Sequence, residues 1–321
     1  MPVLAIVNQK GGVGKTTTAV NLAHGLARKL RANGRGNPLP NPLPGGEGAG
    51  RGNPLPSPLP GGEGAGRGNP LPKGEGAGPG RVLLLDMDPQ GNCAAALGID
   101  PGGRCISDLL AGRTGPREAI IPDVARERGG TGRAGLFLIP ATERLVDVTE
   151  ELLIRDFQAF RRGRGDGGGG LDDVLLDRLG PLRDAFAYIV IDCPPSLGSL
   201  TTAVYRFADR AVVPVRTAML DAAGAAQHTA MINDLQADGL PITVSVILPT
   251  FFEPRQILAR QVYQDLVDKY GRSRVAIPII QSVVVQQAQA AGGQTLFEYA
   301  PAETSPATAA YQRLVDRLYQ E

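Results

Sequence analysis

The sequence predicts an α/β fold in which a doubly wound, mostly parallel sheet is covered by helices on both faces. Short apolar runs alternate along the chain with stretches of helical periodicity, and this alternation is typical of βαβ units. The apolar runs contain few alternating polar residues, as expected of strands that are buried on both faces. The first run leads directly into a glycine-rich segment and then a helix, an order that is typical of anion-binding turns.

Seven apolar runs are predicted as strands. They are VLAIV (3–7), RVLLLD (81–86), LFLIP (136–140), YIVID (188–192), AVVPV (211–215), ITVSVIL (242–248) and VAIPI (275–279). Helices are predicted between and after them, at 14–30, 144–160, 171–184, 221–238, 256–270 and 307–319. The helix predicted at 256–270 has an apolar residue at every fourth position, from Leu258 to Tyr270, which indicates one buried face.

Composition limits both the fold and the partners. A chain of 321 residues that is 42% hydrophobic can form one large core, and we predict a single domain over 1–321. It has no apolar run of about 18–20 residues that could span a bilayer and no basic segment leading into a cleavable signal. Three cysteines without CxxC spacing favour a reducing, cytoplasmic location. The net charge of +1 means that nucleic acid could bind only through a local basic patch.

Residues 31–80 are predicted to be a low-complexity insertion within this domain. A 16-residue unit rich in Pro and Gly occurs at 34–49 and 50–65, and a shortened copy follows at 66–77. Because such a segment cannot bury enough apolar surface to offset its ordering entropy, we expect a disordered or polyproline-like loop. Binding of a partner to its prolines is the alternative interpretation. The glycine-rich stretch at 161–170 is predicted as a second flexible loop.

The segment NQKGGVGKTT (8–17) has the features of a phosphate-binding loop. Glycines allow backbone N–H groups to turn inward around phosphate oxygens, Lys15 would reach the β- and γ-phosphates, and the Thr16 hydroxyl would bind Mg²⁺. The predicted nucleotide-binding residues are Gly11, Gly12, Val13, Gly14, Lys15, Thr16 and Thr17. The sequence departs from the usual G-x-x-x-x-G-K-[ST] pattern because Gln9 stands at the position of the first glycine, next to an additional lysine, Lys10.

Carboxylates are predicted at the ends of two strands. Asp86 and Asp88 lie in LLLDMDPQGN, and Asp192 ends the apolar run of YIVIDCPPSLG. In a parallel sheet these strand ends meet at the edge that carries the phosphate loop, where an aspartate can hold Mg²⁺ or orient an attacking water. Asp86 could instead only fix the turn that follows its strand, and Asp192 could be a helix N-cap.

The motifs KGGVGKTT, LLLDMDPQGN and IVIDCPPSLGSLT, taken in this order, resemble those of the ParA/MinD family of deviant Walker A P-loop ATPases, and are most similar to the ParA/Soj partition branch. The resemblance implies ATP and Mg²⁺ as cofactors and a homodimer in the ATP state. It implies that Lys15 binds the phosphates of its own chain while Lys10 reaches those bound by the other subunit. It also implies that Asp88 is the hydrolysis residue and lies near the metal, and that Asp192 holds Mg²⁺ through water.

The resemblance further implies partners. ParA proteins bind DNA nonspecifically and are stimulated by a ParB-like or other cargo adaptor, which would make this chain a nucleoid-associated ATPase that positions a chromosome, plasmid or other cargo. Arg255 in FFEPR matches an arginine that contacts DNA in the family, and Arg260, Arg272 and Arg274 are nearby candidates. A solvated helix face is the alternative explanation of these arginines, and the later segment IPIIQSVVVQQAQAAGG contains none.

Two other functions remain open from the sequence. A MinD-like ATPase would use a C-terminal amphipathic helix on membranes, and the chain ends in ATAAYQRLVDRLYQE with Leu314, Val315 and Leu318 as apolar residues. Few basic residues accompany them, so a membrane is not the expected partner. A metabolic ATP-dependent ligase or synthetase on the same scaffold is the other alternative.

Overall fold

The computed structural model of the chain describes most of the residues outside the repeat insertion. The described residues are 1–34, 80–122, 124, 132–161, 170–196, 198–217, 230, 233, 236, 237, 239, 240 and 242–320. The greater part of three sequence predictions therefore lies outside them, namely the insertion at 31–80, the glycine-rich loop at 161–170 and the helix at 221–238. The prediction of a single domain over 1–321 stays a prediction.

The described strands form one parallel sheet of six strands in the order β3-β2-β4-β1-β5-β6. Their bounds are β1 Val3–Ile6, β2 Val82–Asp86, β3 Leu136–Ile139, β4 Tyr188–Asp192, β5 Arg210–Arg216 and β6 Thr243–Thr250. All residues of β1 to β4 are buried. The prediction of a parallel sheet buried on both faces is confirmed.

Helices cover both faces of this sheet. In the described part of the chain they are α1 Lys15–Ala32, α2 Asn92–Leu97, α3 Ile106–Leu110, α4 Pro116–Ala119, α5 Arg144–Arg161, α6 Leu171–Leu179, α7 Ser199–Phe207, α8 Ile257–Tyr270, α9 Val283–Ala290, α10 Leu296–Tyr299 and α11 Pro306–Gln320. One apolar cluster joins the sheet to α1, α2, α9, α10 and α11. A second joins the opposite face to α3, α5, α6, α7 and α8. The doubly wound arrangement is therefore confirmed.

The seventh predicted strand, VAIPI at 275–279, is wrong. In the structure this segment forms no strand: Val275 makes an isolated parallel bridge to β6, and the Ile279 N–H donates to the carbonyl of Pro249 on β6 over 2.8 Å. A second isolated bridge joins Ile280 to Phe252, beyond the end of β6. Pro278 lies between the two bridges and has no N–H to donate. A continuous ladder therefore cannot form, although the segment still runs beside the edge strand.

The helix predicted at 171–184 is too long, and some short helices were not predicted. The α-helix ends at Leu179 and the chain continues as a 3₁₀ turn over Gly180–Asp184. Pro181 disfavours α-helical geometry in the residue before it and supplies no N–H, which explains the change. Helix α7, at Ser199–Phe207, was not predicted; it is only nine residues long and follows the Pro- and Ser-rich turn directly.

Close packing and buried polar contacts fix the position of α1, the helix that follows the phosphate loop. Gly25 allows α11 to approach, because a Cβ at this position would lie 2.4 Å from a methyl group of Val315. The Asn21 carboxamide accepts a hydrogen bond of 2.8 Å from the N–H of Leu296, and His24 lies 2.7 Å from the Thr295 hydroxyl. These contacts hold the middle of α1 against its neighbours.

No helix in the described residues is both long enough and apolar enough to cross a bilayer. The apolar residues of α11 are instead part of the protein core. Leu314, Val315 and Leu318 are each at most 2% exposed and pack against the face that carries α1. The apolar face that would be needed to bind a membrane is therefore already covered in this helix.

Candidate functional site

The predicted phosphate loop connects β1 to α1 at the carboxyl edge of the sheet. Gly12 and Gly14 have φ angles of 72° and 88°, in the left-handed region where glycine is favoured over other residues. Val13, between them, is buried. These two glycines turn the backbone around so that α1 can begin at Lys15, and the N-terminus of a long helix favours bound anions.

The Lys15 side chain is buried and directed back over the loop. Its ammonium donates a hydrogen bond of 3.0 Å to the carbonyl of Lys10, and the residue is only 7% exposed. Burial lowers the pKa of Lys15, while the nearby charges of Asp192 and Asp88 oppose this shift. The structure therefore places a lysine in the centre of the loop, where the sequence predicts the phosphate ligand.

Two backbone hydrogen bonds hold Lys10 in the loop. Its N–H donates to the Asn8 side chain over 3.0 Å, and its carbonyl accepts the Lys15 ammonium. Asn8 is buried and its amide donates to the carbonyl of Pro214 on β5 over 2.6 Å. Sequence reasoning gave no role to Asn8, since its importance depends on the neighbouring strand.

Thr16 and Asp192 are brought together across 176 residues of sequence. The Thr16 hydroxyl donates a hydrogen bond of 2.7 Å to Asp192 Oδ2. Asp192 is fully buried at the end of β4, and its other oxygen, Oδ1, has no hydrogen-bond partner in the part of the chain that the structure describes. A hydroxyl and a carboxylate with a spare oxygen form a hard oxygen donor set, which is the type that Mg²⁺ prefers. The residues present therefore fit this ion.

Asp86 lies beside Asp192, because the two residues pair in the β2–β4 ladder. Both Asp86 oxygens accept backbone N–H groups at 3.0 Å, one from Asp88 and one from Cys93. This pattern agrees with the alternative that Asp86 fixes the turn after its strand. Its hydrogen bonds position Asp88, the residue that was predicted to act in hydrolysis.

Asp88 is mostly buried at the same edge, with 8% of its surface exposed. Its Oδ1 accepts the N–H of Gln90 over 3.0 Å, and its carbonyl accepts the N–H of Gly91 over 2.9 Å. Asp88 also contributes to the electrostatic field at Lys15. The structure thus brings Lys15, Thr16, Asp88 and Asp192 into one site.

The Cys93 thiol is a component of the site that sequence reasoning missed. It donates to Asp192 Oδ2 over 3.4 Å, and ligand atoms of Asp86, Cys93 and Asp192 all lie within 4.8 Å of one another. Burial, first of all, and then the charges of Asp86 and Asp192 raise the pKa of the thiol. No sequence signal could have indicated this contact, because it depends on where α2 begins.

The end of β6 also contacts the phosphate loop and was not predicted to do so. The Thr250 hydroxyl donates to the Val13 carbonyl over 2.9 Å. Phe251 has a φ of 52°, which is strained for a residue other than glycine, and its ring lies within reach of Gly14. The Arg216 guanidinium lies 5.0 Å from the centre of this ring. The strand therefore supports the loop from the side opposite the carboxylates.

The four arginines proposed as DNA contacts are all exposed, but they form two groups. Arg255 and Arg260 lie at the beginning of α8, and the Arg260 guanidinium donates to the carbonyl of Pro254 over 3.0 Å. Arg272 and Arg274 follow the end of the same helix, which is 14 residues long and therefore about 20 Å in length. The structure does not gather them into a single patch.

Burial raises the pKa values of two carboxyl groups and predicts an unusual pH dependence of stability. It raises that of Asp86 to about 6 and that of Asp192 to about 7, and the negative charge of a neighbouring aspartate adds to each shift. A group with a raised pKa binds its proton more tightly in the folded state. The raised pKa values therefore stabilise the folded state at low pH. This stabilisation is lost as the pH rises through the folded-state pKa values.

We expect the free energy of unfolding of the nucleotide- and metal-free protein to decrease as the pH rises from about 5 to about 8. Urea unfolding followed by circular dichroism at several pH values would measure this change. Asp192→Asn removes the buried charge but keeps an acceptor for Thr16, so its pH dependence should be weaker. A variant with the same pH slope as the original protein would contradict the assignment to Asp192.

Comparisons with known proteins cover almost the whole chain. A family model described as an AAA domain matches residues 1–31 and 77–243. The chromosome-partitioning ATPase Soj of Thermus thermophilus is 30% identical over 98% of this chain and 94% of that protein. The chromosome partitioning protein ParA of Myxococcus xanthus is 31% identical over 82% of this chain and 70% of that protein.

A solved structure agrees with the fold. Cobyrinic acid a,c-diamide synthase from Mycobacterium smegmatis, with a bound ATP analog and magnesium, superposes with a TM-score of 0.65. The two sequences are 26% identical, and the match covers 100% of this chain and 95% of the synthase chain. The fold described above is thus similar to that of a protein solved with an ATP analog and magnesium.

Proposed function

The chain belongs to the ParA/MinD family of P-loop ATPases, with Soj and ParA chromosome-partitioning proteins among its relatives, and from this premise we propose that it hydrolyses ATP with Mg²⁺ in order to position a cargo. In this proposal the ATP-bound form is a homodimer that binds DNA nonspecifically, and an adaptor of the ParB type stimulates hydrolysis. The observation that carries the nucleotide site is the group formed by Lys15, Thr16 and Asp192 at the carboxyl ends of β1 and β4.

The residues of this site would divide the work of holding the nucleotide. Backbone N–H groups between Gly11 and Thr17 would bind phosphate oxygens, and Lys15 would neutralise part of their charge. The Thr16 hydroxyl and Asp192 would hold Mg²⁺, which, when bound, withdraws charge from the phosphates. Asp88 is placed by Asp86 to orient a water or accept its proton at a carboxylate oxygen.

Dimerisation is supported by the surface near the loop. The segments that follow β6 expose large apolar side chains, with Ile257 at 73% and Val283 at 65% exposure. Helix α9, which begins at Val283, contacts the loop helix through a hydrogen bond of 3.3 Å from Gln289 to Thr17. The phosphate loop itself contains Lys10. Exposed apolar surface next to such a loop would be buried if a second subunit closed over the nucleotide.

DNA binding can be tested through its salt dependence. With ATP present, affinity for random-sequence DNA should fall linearly with salt on a logarithmic scale, and ADP should not support binding. We expect Arg255→Ala to weaken DNA binding about tenfold. It should also reduce the slope of log affinity against log salt concentration by about 1, as for the loss of one phosphate contact. Fluorescence anisotropy with a labelled duplex would measure both quantities.

The matched control is Arg104→Ala, because Arg104 is also exposed but lies between α2 and α3. This variant should bind DNA as the original protein does. Equal losses in the two variants would indicate only a nonspecific effect of net charge and would argue against a DNA contact at Arg255. Variants at Arg272 and Arg274 would then show whether the second group contributes.

A second candidate function is an ATP-dependent ligase or synthetase. It is favoured by the similarity to cobyrinic acid a,c-diamide synthase over the full length of this chain. Such an enzyme would show ATP turnover that depends on a small-molecule substrate and does not respond to DNA or to an adaptor peptide. Measuring the ATPase rate with and without DNA distinguishes the two candidates.

A further inference from the structure

Helix α5 exposes an apolar stripe that has no role in the proposed nucleotide site. One face of the helix is buried in the core through Leu145, Val148 and Leu152. The opposite face exposes large apolar side chains over a length of about 16 Å, namely Val146 at 45%, Leu153 at 39%, Ile154 at 57% and Phe157 at 61% exposure. An exposed apolar stripe on a surface helix is typical of an interaction site.

This stripe lies away from the phosphate loop. Helix α5 follows β3, which is the edge strand of the sheet. Helices in a parallel α/β sheet run back towards the amino ends of the strands. The most exposed residues, Ile154 and Phe157, are in the second half of α5 and are therefore directed away from the edge that would bind nucleotide.

Charged residues of opposite sign flank the apolar residues of the stripe that lie between 153 and 157. Glu150 lies on the stripe side of the helix in its first half, and Arg161 lies on the same side at its last residue. They are eleven residues, or three turns, apart on the helix. Arg155 and Glu151, by contrast, pair with each other at 2.5 Å. An antiparallel copy of the same helix would place each end next to its opposite charge.

We propose that a second copy of this chain docks antiparallel against the exposed stripe of α5, about a twofold axis near the middle of residues 150–161. In this register Ile154 faces Phe157 of the second copy, and Glu150 faces Arg161 of the second copy. Each contact occurs twice, as an isologous interface requires. The apolar pairs supply the attraction, and the ion pairs set the antiparallel direction.

Three turns of helix bury less surface than the roughly 1,200–2,000 Å² of a stable complex, so the isolated contact is weak. In a chain that also dimerises around ATP, however, the same contact gains strength from avidity. Two different twofold interfaces on one chain then produce rings or open-ended assemblies. This consequence depends on the proposed function, whereas the α5 contact itself does not.

Sedimentation of the full chain without nucleotide tests the contact. We expect reversible dimerisation at high protein concentration, and we expect Phe157→Asp to abolish it. Leu176→Asp is the matched control, since Leu176 is 44% exposed on α6 and lies outside the stripe; it should dimerise as the original chain does. A chain that stays monomeric, or equal losses in both variants, would overturn the proposal.

A charge exchange tests the antiparallel register. Glu150→Arg and Arg161→Glu should each raise the dissociation constant about tenfold, because both symmetry-related pairs become repulsive. The double variant restores opposite charges in this register and should recover the original constant. Failure of the double variant to recover would contradict the arrangement. Since ATP is absent throughout, these results do not depend on whether ATP causes dimerisation.

Discussion

Replacing Lys15 with alanine is expected to abolish ATP binding. Lys15 is buried in the centre of the phosphate loop, where its ammonium contacts the Lys10 carbonyl and interacts with the charges of Asp88 and Asp192. Without it, the phosphates would face these two carboxylates without the positive charge that lies at the centre of the loop. Removing one partner of a buried charge pair costs about 3–5 kcal/mol, so ATP affinity should decrease by about 100-fold or more.

Isothermal titration calorimetry with a non-hydrolysable ATP analog and Mg²⁺ would measure the loss. The control is Lys29→Ala on the same helix, because Lys29 pairs with Asp316 at the surface, 2.8 Å away. This substitution removes a lysine from α1 without touching the loop, and it should leave ATP affinity unchanged. If Lys15→Ala retained normal affinity while folded, as judged by circular dichroism, the proposed nucleotide site would be wrong.

Replacing Lys10 with alanine should leave ATP bound but stop turnover and dimerisation. The structure explains why binding is expected to survive, since Lys10 supports the loop through its backbone N–H and carbonyl, which alanine also provides. Its side chain would act on the phosphates of the other subunit. A cation supplied in this way raises the reaction rate about 10³–10⁵-fold where it has been measured. We therefore expect turnover to decrease by at least about 10³-fold. We also expect the variant to have the mass of a monomer when it is measured in the presence of ATP.

A mixture of the two variants provides the sharpest test. A heterodimer of Lys10→Ala and Lys15→Ala chains contains one complete site, made from Lys15 of the first chain and Lys10 of the second. Mixing two inactive proteins should therefore restore part of the ATPase rate. The absence of any recovery, together with equal losses of ATP affinity in the two single variants, would contradict a lysine that acts across the interface.

The sequence predicted much of this site because its chemistry is local. The loop from Gly11 to Thr17 and its lysine are consecutive residues, and Asp88 and Asp192 follow apolar runs that could be recognised as buried strands. The strand ends of a parallel sheet meet at one edge, which was sufficient to expect the carboxylates there. The contribution of Cys93, Asn8 and Thr250 could not be predicted, since each acts through a partner far away in the chain.

The sequence by itself determined the fold class, the positions of the six strands of the sheet and the position of the glycine-rich loop, because hydrophobic periodicity and glycine positions are properties of short segments. Tertiary structure alone decided the rest. It showed that the four arginines of the α8 region lie in two groups, that the apolar residues Leu314, Val315 and Leu318 of α11 are buried, and that α5 exposes a second apolar stripe besides its buried one. Whether an apolar face is core or surface depends on which element packs against it, and no single helix carries that information in its own residues.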